Sequence, residues 1–411
     1  MGLVRSILSA IIFGMGISLF ATLPSHAKTS TSEKKIELYV YINADNDIIG
    51  IDEEDQAFHY GTRFFESLNA LLPTLPPHVG IHVYYDPSRE ITGATSSQLI
   101  RKCGSQVVSI TRLGETASSD PKYLSDLTNE NCFSENIQDT QKILILWGHG
   151  QSWMPITAFD YSEPSVAQSW LGLIQPLKTK FDLLIYDSCM MGSLEVAIAS
   201  VGKAKNIIAS QFELPPEGID YRSLKTLISE NPTIDDWIKT LKADTEIRLK
   251  SRGFFAPLIG LNTDFILNTD SKLDRLIHET NALVAAILTD EKLKSKLVQL
   301  SSILPDRDQR DLRAMIQVAK NQTNEKTLQL GLELEKTLLT LLDQNSGSLS
   351  FTLPGRPDVM NDFEREPYFQ VQTESYAKML YTFSWIYKNF QSSSALNLLT
   401  NQSIGGINEH R

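Results

Sequence analysis

Cysteine is scarce: the 411-residue chain holds only Cys103, Cys132 and Cys189, and no two of them form a Cys-x-x-Cys pair. That removes the usual basis for a dithiol redox centre or a cysteine-built zinc ribbon. Positive charge is also short. Against 49 acidic residues there are 38 Lys and Arg, a formal net charge of −11, so the basic surface that would favour a nucleic-acid partner is missing. His59, His78, His82 and His278 show no zinc-ligand spacing, and His78 and His82, though four apart, fall on an expected strand without a partner motif. There is no phosphate-binding glycine loop and no internal repeat. Beyond the first 27 residues no apolar run is long enough to cross a bilayer.

What is present is ordinary for a globular protein, 42% hydrophobic and 21% charged, and long enough for a large core or two domains. The opening "MGLVRSILSAIIFGMGISLFATLPSHA" (1–27) has one charge, Arg5, then an apolar stretch and small residues at Ser25 and Ala27. That is the layout of a signal peptide cut after Ala27, and it predicts a secreted or periplasmic chain with no membrane attachment after cleavage. A retained anchor is the competing reading, because the apolar stretch is nearly long enough to span. With no cysteine near the cut, a lipid-anchored form is not expected. In an oxidising compartment Cys103 and Cys132 could pair, leaving Cys189 as the odd thiol.

Along the mature chain, apolar runs alternate with helical patterns. "KKIELYVYINADND" (34–47) predicts a first strand ending in an Asn/Asp turn, and 53–72 carries helical spacing at Phe58, Phe64, Phe65, Leu68 and Leu71. Strands are expected at 78–86, 106–113, 142–147, 181–187 and 204–211. Helices are expected around 123–127, over 166–178 and over 193–201. Continuous apolar runs such as "KILILW" (142–147) suit strands covered on both faces. The expected fold is therefore α/β, a mostly parallel sheet with helices on both faces. The core runs over 34–221. A mainly helical C-terminal region follows over 222–390, returning one strand at 347–355 and a final helix at 374–390; a loose tail occupies 391–411.

Chemistry concentrates at two strand ends. His149 follows "KILILWG" and Cys189 follows "FDLLIYDS". In open parallel sheets ligands bind beyond the carboxyl ends of the strands. If these two strands are neighbours, an imidazole meets a thiol there, as a cysteine nucleophile requires. The amides of Gly150 and Cys189 could hold a developing oxyanion. The plainer alternative is a cysteine packed in a core and a histidine satisfied at a strand end.

The pair "ILILWGHGQSW" and "LLIYDSCMMGSLEVA" resembles the clostripain family of cysteine peptidases, part of the wider group with a caspase-like fold. Trp147, His149, Gly150, Asp187, Cys189, Met190 and Glu195 stand at the family's motif positions. "YVYINADND" (39–47), "ASQFELPPEGIDY" (209–221) and "GSLSFTLPG" (347–355) extend the similarity, whereas 230–345 adds nothing to it. The resemblance implies His149 as general base, Cys189 as nucleophile, and cleavage after Arg or Lys of a peptide or protein substrate. It implies Asp187 as one acid of the substrate pocket, Glu217 as a second, and Ser210 in the family's serine position. The loop after His149 is short and has no Lys or Arg between 151 and 177, which removes self-cleavage at a basic residue there.

No cofactor is expected. The resemblance leaves calcium possible, but "DNDIIGIDEEDQ" (45–56) puts Ile49 and Gln56 where a helix-loop-helix calcium site needs oxygen ligands, so any calcium would be bound by acidic residues elsewhere in another geometry. The same dyad could serve a peptide ligase, or survive in a non-catalytic binding scaffold.

Overall fold

The structure, a computed structural model, describes residues 34–106, 109–133, 139–152, 169–254, 258–262, 272–290, 292–293, 296, 309–322, 324–342 and 349–352. The signal-peptide segment, the helix at 374–390 and the tail at 391–411 lie outside them. In chain order the strands are β1 (Lys35–Ala44), β2 (Ile49–Ile51), β3 (Ala57–His59), β4 (Val79–Pro87), β5 (Ser97–Cys103) and β6 (Ser109–Gly114). They continue with β7 (Thr140–Trp147), β8 (Leu183–Asp187), β9 (Asn206–Ser210), β10 (Leu258–Asn262), β11 (Gln309–Asp311) and β12 (Ser350–Thr352). The helices are α1 (Tyr60–Leu71), α2 (Arg89–Thr92), α3 (Pro121–Asn129), α4 (Trp170–Ile174) and α5 (Leu194–Ser200). After them come α6 (Leu224–Glu230), α7 (Ile234–Ser251), α8 (Lys272–Leu288), α9 (Leu312–Lys320) and α10 (Glu325–Leu341).

Eight strands form one sheet in the order β10-β9-β8-β7-β1-β4-β5-β6. Pairing is parallel from β9 through β8, β7 and β1 to β4, and antiparallel at both ends, where β10 joins β9 and β5 and β6 join β4. All of β1 after Lys35 is buried, as an apolar strand in a two-sided sheet must be. Its side chains alternate. Tyr39 and Tyr41 enter one core with α3, α4, α5, α8, α9 and α10. Ile36, Leu38, Val40 and Ile42 enter the other with α1, α6 and α7. That period of two is the physical reason the sheet needs helices on both faces.

Several elements differ from the sequence expectations. The helix expected over 53–72 starts only at Tyr60, because β2 and β3 pair as a hairpin ahead of it. Asp52 Oδ1 accepts hydrogen bonds from the amides of Glu54 and Gln56 and so closes that hairpin. The helix expected over 166–178 is the short α4, capped by Ser169, whose Oγ accepts from the Gly172 amide; residues 166–168 lie outside the described set. Strands β5 and β10 were not anticipated, and β10 extends the main sheet from within the region expected to be helical. Among the described residues no helix is long and apolar enough to cross a membrane.

Cys103, at the end of β5, is bonded to Cys132, which follows α3. The link ties the second strand from the sheet's edge to the loop after α3, across a sequence separation of 29 residues. Glu37 braces the same loop: Oε1 accepts from the amides of Cys132 and Phe133, and Oε2 pairs with His82 at 2.7 Å. Closing a loop of this size removes about 3–4 kcal/mol of unfolded-state entropy. Reduction, or a Cys103→Ser/Cys132→Ser variant, is expected to lower the unfolding free energy by about that amount in urea titrations. The site described next, at the opposite end of the strands, should keep its thiol reactivity below the new midpoint.

Candidate active site

Strands β7 and β8 are adjacent and parallel, with Trp147 opposite Asp187. His149 lies two residues past Trp147 and Cys189 two past Asp187, so both leave the sheet at the same level and the same end. They line one cavity of about 250 Å³ with Asp47, Ile49, Gly148, Ser188, Leu214, Pro215, Pro216 and Gly218. Strand-end position alone thus brings together the two residues the sequence marked for chemistry.

Both loops turn sharply where they present these side chains. Met190, directly after Cys189, and Ser152, shortly after His149, have left-handed backbone with φ of 57° and 59°. Such conformations in residues other than glycine are strained and concentrate at functional sites. Gly150 fits the interface between the loops for a steric reason. A Cβ there would fall 2.3 Å from the Cys189 carbonyl oxygen and 2.7 Å from its amide nitrogen, so only glycine lets the two backbones approach.

His149 is held from two sides. Its Nε2 meets Asp47 Oδ1 at 2.5 Å, and its carbonyl accepts from the Trp170 indole N–H at 2.7 Å. Trp170 is fully buried and edge-on to Tyr41, which anchors the histidine loop to the core. Asp47 was missed as a partner. Its signal was the Asn/Asp turn after β1, since β1 is the other parallel neighbour of β7 and pairs Ile42 with Trp147. With Nε2 on a carboxylate, the ring is oriented.

Cys189 is half-buried and outside any disulfide. Its Sγ accepts from the Leu214 amide at 3.4 Å and lies 3.6 Å from the Leu214 carbonyl. The loop after it is stapled from several directions. Met190 N donates to Phe212 O, Gly192 N to Ser210 O, and Ser350 N of β12 to Gly192 O. Ser152 and Ser193 share a hydroxyl hydrogen bond of 2.6 Å, and Gln211 donates to Asp311 at the start of α9. The C-terminal elements therefore stiffen the cysteine loop.

Asp187 lines the cavity while being only 3% exposed. Burial pushes its carboxyl up to about 7, partly countered by the Ile219 amide, which donates to Oδ1 at 2.7 Å, and by Tyr221 and Arg248. Tyr221 is close enough to interact, but its geometry falls short of a hydrogen bond, and Oδ2 has no hydrogen-bond partner. Gly218 covers the carboxylate. With φ of 64° and a Cβ position 2.3 Å from Asp187 Oδ1, it can only be glycine.

Two other expected substrate residues stand elsewhere. Ser210 is fully buried, its Oγ accepting from the Phe212 amide, and it shapes the turn that carries Leu214 to the thiol rather than the cavity wall. Glu217 is ion-paired with Arg252 and lines a neighbouring cavity. In the 45–56 segment Asp47 is taken by His149 and Asp52 by the hairpin amides. Among the described residues one cluster has metal-ligand types, Glu37, His82 and Cys132, and its sulfur is in the disulfide.

Comparison with known proteins agrees with this fold. The sequence profile of the clostripain family of C11 peptidases matches residues 77–326. A secreted C11 cysteine protease from Bacteroides thetaiotaomicron, solved with an irreversible peptide inhibitor, shares the fold at 16% identity and a TM-score of 0.56, covering 85% of this chain and 99% of its own. An inactive zymogen C11 protease from Parabacteroides distasonis does so at 15% identity and a TM-score of 0.55, covering 82% and 98%. No curated protein sequence matches the chain. Because the profile spans more than half of the sequence, the chain belongs to the clostripain family of cysteine peptidases.

Proposed function

We propose that this peptidase cuts after arginine or lysine, with Cys189 as nucleophile and His149 as its base. The observation that carries the reading is the register of Trp147 with Asp187, which opens both groups onto one cavity. In the first step His149 accepts the Sγ proton and the thiolate attacks the carbonyl carbon of the basic residue. The amides of Gly150 and Cys189 hold the oxyanion. Collapse of the adduct breaks the C–N bond as His149 returns the proton to the departing amine, leaving a thioester. Water, deprotonated by His149, then releases the acid and restores the thiol. Asp47 positions the imidazole throughout.

Two carboxylates line the cavity, Asp47 and Asp187. Asp47 is paired with His149, which leaves Asp187 to meet a guanidinium or ammonium, while Glu217 is paired with Arg252 in the neighbouring cavity. A desolvated carboxylate is a strong receptor for a forked donor. The signal-like segment 1–27 and the Cys103–Cys132 bond both fit an oxidising compartment, and one fold relative is itself described as secreted. The mature enzyme therefore works outside the cytoplasm.

Digestion of a positional peptide library checks the specificity. Cleavage should concentrate after Arg and Lys, with rapid alkylation of Cys189 near neutral pH. Cutting after acidic or apolar residues instead would overturn the role of Asp187. An inert thiol together with no cutting would favour a binding scaffold.

A further inference from the structure

Next to the catalytic cavity lies a second, larger one of about 470 Å³, between α1 and the segments carrying α6 and α7. The two share Trp147 as a wall. The strip 217–219 runs between them, with Gly218 facing the first and Glu217 and Ile219 the second. Arg63, Arg222, Lys225, Arg248 and Arg252 line it, against two carboxylates, Glu217 and Asp220. In a chain of net charge −11, five cations against two anions around one hollow is a local reversal of sign.

The carboxylates do not neutralise it. Glu217 engages Arg252. Asp220, only 3% exposed, is shared between Arg222 at 2.8 Å and Arg248 at 3.8 Å. Arg248 is spent mainly on the Gly218 carbonyl, and its Nε has no hydrogen-bond partner. Arg63 lies over the Phe58 ring. Lys225, on α6, is exposed at the wall.

We propose that this cavity is a subsite for a carboxylate side chain of the peptide substrate, an Asp or Glu within a few residues of the basic residue at the cut. This rests on the peptidase reading above and narrows its substrate class. An extended peptide advances about 3.3 Å per residue, so a neighbouring side chain can enter the adjoining hollow while the basic one occupies the first. Guanidinium forks match a carboxylate, whereas a second Lys or Arg would meet like charge. The two cavities together select a mixed-charge sequence and reject runs of basic residues.

The test uses arginyl peptides carrying Glu, Gln or Lys in turn at each of the three positions on either side of the cut. At one position Glu should exceed Gln in kcat/KM by about tenfold, with Lys poorest, and the ratio should shrink as salt rises. An Arg222→Gln/Lys225→Gln variant, checked for an unchanged melting temperature, should bring the Glu-to-Gln ratio close to one. Calorimetry with the Cys189→Ala protein supplies a readout independent of turnover, in which the Glu peptide binds more tightly than the Gln peptide. Arginine-dependent turnover with no Glu preference at any position, in cleavage or in binding, overturns the subsite and leaves the peptidase reading intact. Selective binding without turnover by the wild-type protein does the reverse.

Discussion

Replacing Cys189 by alanine will leave the protein folded and lower hydrolysis of an arginyl peptide by on the order of 10⁴-fold or more. The size follows from the chemistry: no other thiol in the described residues is outside a disulfide, so the covalent route closes, and what remains is positioning and oxyanion binding. The fold should tolerate the change. The side chain is small and half-buried, and the loop that carries it keeps its backbone links to Ser210, Phe212 and Ser350. His149→Ala should give a loss of similar order and also slow alkylation of Cys189, because a base that acts through the thiol governs both. Such residues work as a unit, so the double variant should be no worse than either single one. Undiminished turnover by Cys189→Ala at an unchanged melting temperature would sink the nucleophile assignment. Equal alkylation rates with and without His149 would sink the pairing.

How far this site could be read from sequence depends on where each contact is encoded. Residues 143–147 and 183–186 are apolar throughout because β7 and β8 are buried on both faces, and that pattern is local. Other strands were harder. Strand β5, "SQLIRKC", next to the edge strand β6, mixes buried and half-exposed residues, and its charged side chains break the apolar pattern. Strand β10 sits within a stretch dominated by helical spacing, and only its antiparallel pairing with β9 defines it. Asp47 reaches His149 across 102 residues, and its Asn/Asp turn points to that contact only once β1 is known to lie beside β7. Glu217 looks like a pocket acid by its place before Gly218, yet its environment is set by Arg252 from the end of α7. Charge partners are tertiary facts, and for that reason the second cavity went unseen in the sequence.

Asp187→Asn is expected to impair the enzyme and stabilise the protein at once. Hydrolysis of arginyl and lysyl peptides should fall by on the order of 10²–10³-fold, through loss of a desolvated charge pair with the substrate. The wild-type kcat/KM for such peptides should rise with pH as the carboxyl, pushed up to about 7 by burial, ionises; the variant should lack that limb. Stability has the opposite sign. Between the ordinary carboxylate range near 3.8 and about 7, the unfolded chain gives up a proton that the folded chain retains. Wild-type stability therefore falls as pH rises through that window and levels off above it. The difference amounts to about 4 kcal/mol at full ionisation, at 1.36 kcal/mol per unit. Asparagine keeps an Oδ1 for the Ile219 amide and removes the ionisation, so in urea its advantage over wild type should be small at pH 4 and largest at pH 8. On the proposed reading, the charge that weakens the fold is the one that the incoming cation uses. A variant that kept its preference for basic residues, or that was less stable than wild type at pH 8, would show that Asp187 is a structural cap on β8 and not the receptor.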